Sequence, residues 1–220
     1  MNKNTLQHVL TPLIAIFLIF FIWFGPIPTP YVTTIVISIL IFVASYIEYK
    51  GKLFSSLGFQ RSNFKFKSIF VIAPLVALGL FLFYLFVLIP LATKLTGIPI
   101  DYSDFEGLEG NWALCLFALL FIWISAGFGE EIVFRGYFMK QFVKFFGDGK
   151  VSIVINIIVF ACLFGYLHGT QGITGQIVTG TIGAIIATIF YLRKYDLWFV
   201  IAIHGFFDTI ALICIYLGLV

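Results

Sequence analysis

Residues 69–92 read IFVIAPLVALGLFLFYLFVLIPLA, and no charged side chain interrupts them. A hydrocarbon core of roughly 30 Å is crossed by about 20 largely apolar helical residues, so this stretch reads as a membrane span. Pro74 and Pro90 predict a kink or a helix end within it, because proline removes an N–H and crowds the preceding turn. Similar stretches flank it, and spans are expected at roughly 9–25, 31–47, 69–92, 112–130, 151–168, 174–192 and 198–218. The 220 residues are 61% apolar and 10% charged, too little polar surface to coat a water-soluble globule. The expected fold is an all-α polytopic transmembrane bundle of about seven spans. Its N-terminal part, residues 1–110, ends in an acidic external loop, and residues 111–220 form a second helical core. The first apolar stretch, Val9 to Gly25, is too long for a signal peptide and ends at Pro26-Ile27-Pro28-Thr29-Pro30 without a small-residue cleavage site.

Connections between spans set the orientation. Lys3 precedes the first span. Lys50, Lys52, Arg61, Lys65 and Lys67, opposed by Glu48, follow the second; Lys140, Lys144 and Lys150 follow the fourth; Arg193 and Lys194 precede the seventh. The connection after the third span is acidic, with Asp101, Asp104, Glu106 and Glu109 against Lys94. Because short cytoplasmic loops collect Lys and Arg, the N-terminus is expected inside and the C-terminus outside. Trp23, Trp112 and Trp198 lie at span ends, where amphipathic rings settle among headgroups. A net charge of +3 concentrated beside apolar segments favours contact with lipid over nucleic acid. Cys115, Cys162 and Cys214 each sit inside an apolar run and read as packing residues. Gly175, Thr179, Gly183 and Ala187 recur every four residues, a small-residue stripe that reads as helix packing.

What remains are ionisable groups within or at the edges of spans: Glu130, Glu131, Arg135, His168, His204 and Asp208. Each costs roughly 2.5–3.5 kcal/mol at a helix centre, so a shared function or a salt-bridge network must retain them. Glu131 and Arg135 are four apart and stack on one helical face as a neutralising pair. Glu130 points about 100° away and is left over, which suits it to act as a general base. His204 and Asp208 share the same spacing, as do Phe164 and His168. His8 precedes the first span and is expected to have no role. Straight helices would put Glu130 near the inner end of span four and His168 near the outer end of span five. The two would meet only if span four ran on to about Phe145 or bent at Gly127, Gly129 or Gly136.

Glu130-Glu131-Ile132-Val133-Phe134-Arg135, Phe164-Gly165-Tyr166-Leu167-His168 and His204-Gly205-Phe206-Phe207-Asp208 resemble, in order, the three motifs of the CPBP family. That family comprises CAAX prenyl endopeptidases and bacteriocin-processing or immunity proteins, also called Abi proteins. The resemblance covers about residues 112–212. It implies an intramembrane endopeptidase in which Glu130 and His168 activate water, His204 and Asp208 form the third motif, and Glu131, Arg135 and Phe164 support them. In such enzymes the third motif often pairs His with Asn to steady the oxyanion. An ionised Asp208 accepts hydrogen bonds but donates none, so here it orients His204 or carries a proton.

The resemblance further implies a membrane-associated peptide or protein substrate and a setting in a bacterial plasma membrane, with no nucleic-acid partner. No cofactor is required by a glutamate mechanism. The alternative is zinc held by Glu130, His168 and His204, since two histidines and a carboxylate make an open set, although no His-Glu-x-x-His helix is present. Two functional rivals are a non-catalytic immunity or regulatory protein, and a proton-coupled transporter. The second would need a continuous polar path, and no paired repeat of broken spans is visible.

Overall fold

The computed structural model describes residues 3–25, 30–50 and 52–219. The break assigned to the Pro26–Pro30 run falls on residues 26–29, and the side chain of Lys3 likewise lies outside what is described. Among the described residues, eight helical elements carry the fold: α1 (Lys3–Trp23), α2 (Pro30–Tyr49), a short α3 (Leu53–Leu57), α4 (Ser68–Thr96), α5 (Trp112–Phe146), α6 (Lys150–Tyr166), α7 (Gly172–Leu192) and α8 (Leu197–Tyr216). Five stretches among the described residues are long and apolar enough to cross a membrane, and Gln7–Trp23 and Lys150–Tyr166 are shorter apolar helices. No strand occurs among the described residues. This is a polytopic helical bundle and an integral membrane protein. Phe17, Leu75, Phe86, Phe117 and Val151 are exposed on its outside, as a hydrocarbon solvent allows.

One core joins the two halves of the chain. Ile19 of α1, Ile37 and Ile41 of α2, and Ala77 and Phe81 of α4 pack in the same cluster as Phe134 and Phe138 of α5. Phe164 of α6, Ile186 and Phe190 of α7, and Ile203 and Phe207 of α8 complete it.

The prolines do not end α4. Wide turns with i→i+5 hydrogen bonds, Ser68–Ile72 and Tyr84–Leu88, come just before Pro74 and Pro90. A widened turn moves aside the carbonyl that each pyrrolidine ring would strike, so the helix passes both. Span four is likewise longer than expected. It runs 35 residues from Trp112 to Phe146 through two more widened segments, Ile122–Glu130 and Ile132–Phe138. Glu130 is therefore near its middle, which removes the expected mismatch in depth with His168.

The basic connections meet at one end of the bundle. The Lys140 ammonium lies over the Tyr195 ring at 5.9 Å, and Arg193 Nη2 donates to Ser68 Oγ at 2.9 Å. Glu48, expected as a loop charge, is instead buried. It accepts from Gln141 Nε2 at 2.8 Å and from Lys144 Nζ, with His8 Nδ1 3.9 Å away. Lys144 also donates to the His8 carbonyl at 2.5 Å, so His8 has a place in a polar knot tying α1 and α2 to the end of α5. Trp23 does not mark a headgroup level alone, since its ring lies 5.7 Å from Phe134 in the core. Lys144 is partly exposed and can turn to water, but the buried Gln141 amide would lose its acceptor, so Glu48→Ala should cost roughly 1–3 kcal/mol. The check is its melting temperature in detergent, expected to fall well below that of wild type.

Candidate functional site

The site begins where α5 and α8 touch backbone to backbone. A Cβ on Gly127 would stand 3.2 Å from Gly205 Cα, and one on Gly205 would stand 2.6 Å from the Trp123 ring. Only glycines permit this approach, and it carries the polar side chains of α5 and α8 into contact. The pair is pinned further by Trp123 Nε1 donating to Thr209 Oγ1 at 3.1 Å.

Glu131 is the hub. Its Oε1 accepts from Arg135 Nη1 and faces His204 Nδ1, both at 2.8 Å. Glu131 is 0% and Arg135 2% exposed, so neither charge is compensated by water, and each survives only through the other. Arg135 Nη2 donates to the Gly183 carbonyl at 2.8 Å, and its guanidinium lies 5.0 Å from the Phe164 ring centre. The spacing-based pairing of Glu131 with Arg135 is thus present, and it extends to α7 and α8.

Phe164 occupies the centre of this arrangement. Its ring is edge-on to Phe134 at 5.0 Å and lies 4.7 Å from His168 and 6.1 Å from His204. A Cβ on Gly183 would come within 2.9 Å of Phe164 Cδ1. Gly183 belonged to a stripe read as packing alone. Its position is dictated by a carbonyl that must reach Arg135 and a ring that must fit beside it. Sequence reasoning missed that role, although the small-residue stripe was its visible signal.

Around the hub stand the remaining groups. His204 Nε2 is 3.4 Å from Asp208 Oδ2 and 4.0 Å from Glu130 Oε2. Glu130 Oε2 is buried without a hydrogen-bond partner from the protein, as is Glu131 Oε2. His168 Nδ1 donates to the Phe164 carbonyl at 2.7 Å, leaving Nε2 as the free ring nitrogen. His168 is within electrostatic reach of His204 and Asp208. The structure brings Glu130, Glu131, Arg135, His204 and Asp208 into one cluster, and His168 stands 4.7 Å from the Phe164 ring that packs beside it. Among the described residues, no hydrogen bond or ion pair joins Glu130 to His168 directly.

Could the cluster hold a metal? Among the described residues, no group of three or more His, Cys, Asp or Glu side chains has a metal-holding arrangement. Glu130, His168 and His204 are accordingly not gathered as a three-ligand set in this arrangement. What the site does offer is an unpaired carboxylate, two histidines with one nitrogen each already committed, and a charge-compensated floor beneath them.

Residues 111–210 match the family described as Rce1-like, type II CAAX prenyl endopeptidase Rce1-like. The match covers the stretch that contains all three motifs. No curated protein and no solved structure matches the chain.

The two glutamates should separate in stability. Arg135→Gln and Glu131→Gln each strand a buried charge and should lower stability by roughly 3 kcal/mol, whereas Glu130→Gln breaks no hydrogen bond and should keep wild-type abundance. Expression level and thermal unfolding in detergent check this; a Glu130→Gln protein as unstable as Arg135→Gln would contradict the division.

Proposed function

With residues 111–210 forming an Rce1-like segment, we propose that this protein is an intramembrane endopeptidase. It hydrolyses a peptide bond near the C-terminus of a membrane-associated, CAAX-type prenylated substrate. The observation that carries this reading is the buried Glu130 Oε2, unpartnered and 4.0 Å from His204 Nε2, beside a neighbour whose charge is already spent on Arg135.

In this reading Glu130 takes a proton from water, and the hydroxide oxygen attacks the scissile carbonyl carbon. The carbonyl π electrons move to oxygen. As an imidazolium, His204 donates Nδ1–H to Glu131 and turns Nε2–H toward the space between Glu130 and Asp208, where a developing oxyanion can accept it. Collapse of the tetrahedral intermediate breaks the C–N bond, and Glu130 returns its proton to the leaving nitrogen. The fixed tautomer of His168 presents Nε2 as an acceptor that orients the water. The Glu131–Arg135 pair keeps the floor rigid, so little reorganisation is needed when charge develops. The mechanism we propose runs without a metal.

An internally quenched farnesylated CAAX peptide, presented to the protein in liposomes, tests the reading. Wild type should cleave it, and Glu130→Gln, equally abundant, should lose at least about 10²-fold in rate. Activity should survive chelation of protein assayed for zinc before and after treatment. Zinc near one equivalent, with activity lost on its removal and restored on readdition, would replace this mechanism with one using Glu130, His168 and His204 as ligands. Peptide binding without cleavage by wild type would favour the immunity or regulatory reading.

A further inference from the structure

The connection between α2 and α4 ends Phe64-Lys65-Phe66-Lys67, aromatic and basic residues in alternation. It lies at the basic end of the bundle, against the turn that joins α7 to α8. Leu197 N donates to the Gly58 carbonyl at 3.4 Å, and the Phe64 ring is edge-on to Trp198 at 5.1 Å. Between the two segments is a hollow of about 280 Å³, lined by Asn63, Lys65, Leu192, Arg193, Lys194 and Asp196. It shares no residue with the Glu131–His204 cluster.

Three cations face one carboxylate there. Asp196 is buried and already committed: Oδ1 accepts from Phe199 N at 3.3 Å as the cap of α8, and Oδ2 is 3.9 Å from Arg193 Nη2. Arg193 is fixed by its bond to Ser68 Oγ at 2.9 Å and by the Phe199 ring, whose centre is 4.2 Å from the guanidinium, yet its side chain stays 42% exposed. Lys65 and Lys194 are exposed, and among the described residues neither makes a side-chain hydrogen bond or an ion pair. One carboxylate cannot balance three cations, so positive charge is left over in a concavity, where it attracts an anion.

The backbone at Lys194 points the same way. Its φ is 55° and that of Tyr195 is 64°, both in the left-handed region. Helix ends commonly place glycine in this conformation, because a Cβ is crowded there. Lys194 N donates to the Tyr191 carbonyl at 3.0 Å and Tyr195 N to the Phe190 carbonyl at 2.9 Å, and these bonds impose the turn as they close α7. A lysine where glycine would be unstrained costs stability, and what it supplies in return is an ammonium group at the hollow.

The apolar surroundings select the kind of anion. Leu192, itself part of the lining, is 77% exposed. Phe66 is 73% exposed, and its ring lies 4.8 Å from that of Phe70, also exposed, in the first turn of α4. Cations with bare apolar side chains beside them, at the ends of three membrane helices, match a phosphate whose acyl chains run down the outside of the bundle.

We propose that this hollow holds the phosphate of an anionic phospholipid, with Lys65 and Lys194 on the phosphate, Arg193 as the fixed cation between α4 and α8, and Leu192 against the upper acyl chain. A lipid bound there fastens the α2–α4 connection to the α7–α8 turn from outside.

The lipid site does not rest on the endopeptidase reading, and its test needs no cleavage. The protein in detergent is titrated with phosphatidylglycerol and with phosphatidylcholine of identical chains, and bound lipid is counted by native mass spectrometry. Wild type should hold one phosphatidylglycerol at least about tenfold more tightly than phosphatidylcholine, and Lys65→Gln and Lys194→Gly should each lower that affinity roughly fivefold. The melting temperature of lipid-free Lys194→Gly should be no lower than that of wild type, because glycine relieves the turn. Lys150→Gln, at the same basic end but outside the hollow, is the control and should bind as wild type does. Phosphatidylglycerol held no more tightly than phosphatidylcholine would overturn the proposal, as would Lys65→Gln and Lys194→Gly both binding like wild type. An equal loss in Lys150→Gln would overturn it by showing diffuse attraction to a basic surface. Displacement of the lipid by inorganic phosphate at the lipid's own concentration would overturn it as well, by showing a site for the free anion.

Discussion

Two charges that cannot reach water hold the centre of this bundle. The Glu131–Arg135 pair is fully buried, and in a medium of low polarity neither member is tolerable without the other. Once formed, the pair spends its remaining valences on neighbouring helices: Arg135 on the Gly183 carbonyl of α7, Glu131 on His204 of α8. It therefore works as a clamp on three helices, and the histidine it orients is the one that faces both other carboxylates. The catalytic geometry proposed here inherits its precision from a structural ion pair.

Close helix approach makes that clamp possible. Gly127 against Gly205 brings α5 to α8, and Gly183 leaves room for Phe164 and Arg135 between α7 and the rest. Widened turns serve a related purpose. In α4 they let the chain pass two prolines, and in α5 they occupy nearly the whole interval that presents Glu130, Glu131 and Arg135. A wide turn changes the angular step between successive residues, so the two adjacent glutamates serve different neighbours: one the ion pair, the other the open side of His204.

The polar knot around Glu48 stands at the opposite end of α5 from Trp112 and has no member in common with the site. It fixes the basic end of α5 against α1 and α2, while Gly127 fixes its middle against α8. A long helix held at two separate points leaves little freedom to the residues between them, and those are the residues of the site.

Hydropathy alone determined that the chain is a helical membrane bundle, because the length of an apolar run is a one-dimensional property. The i, i+4 spacings likewise determined that Glu131 would meet Arg135 and that His204 would lie beside Asp208, since helical neighbours are a matter of sequence separation. Three ordered motifs carried the family resemblance. What the sequence left open was everything that depends on contact between helices. The true length of span four, expected to end at 130, was hidden because Glu130, Glu131 and Arg135 interrupt its apolar run while its backbone bonds continue to Phe146. Glu48 looked like a solvated loop charge because its partners, Gln141 and Lys144, lie more than ninety positions away. The meeting of Glu131 with His204, and the work of Gly183, were decided only when α5, α7 and α8 packed, because hydrogen bonds across 73 and 48 residues leave no periodic trace in the chain.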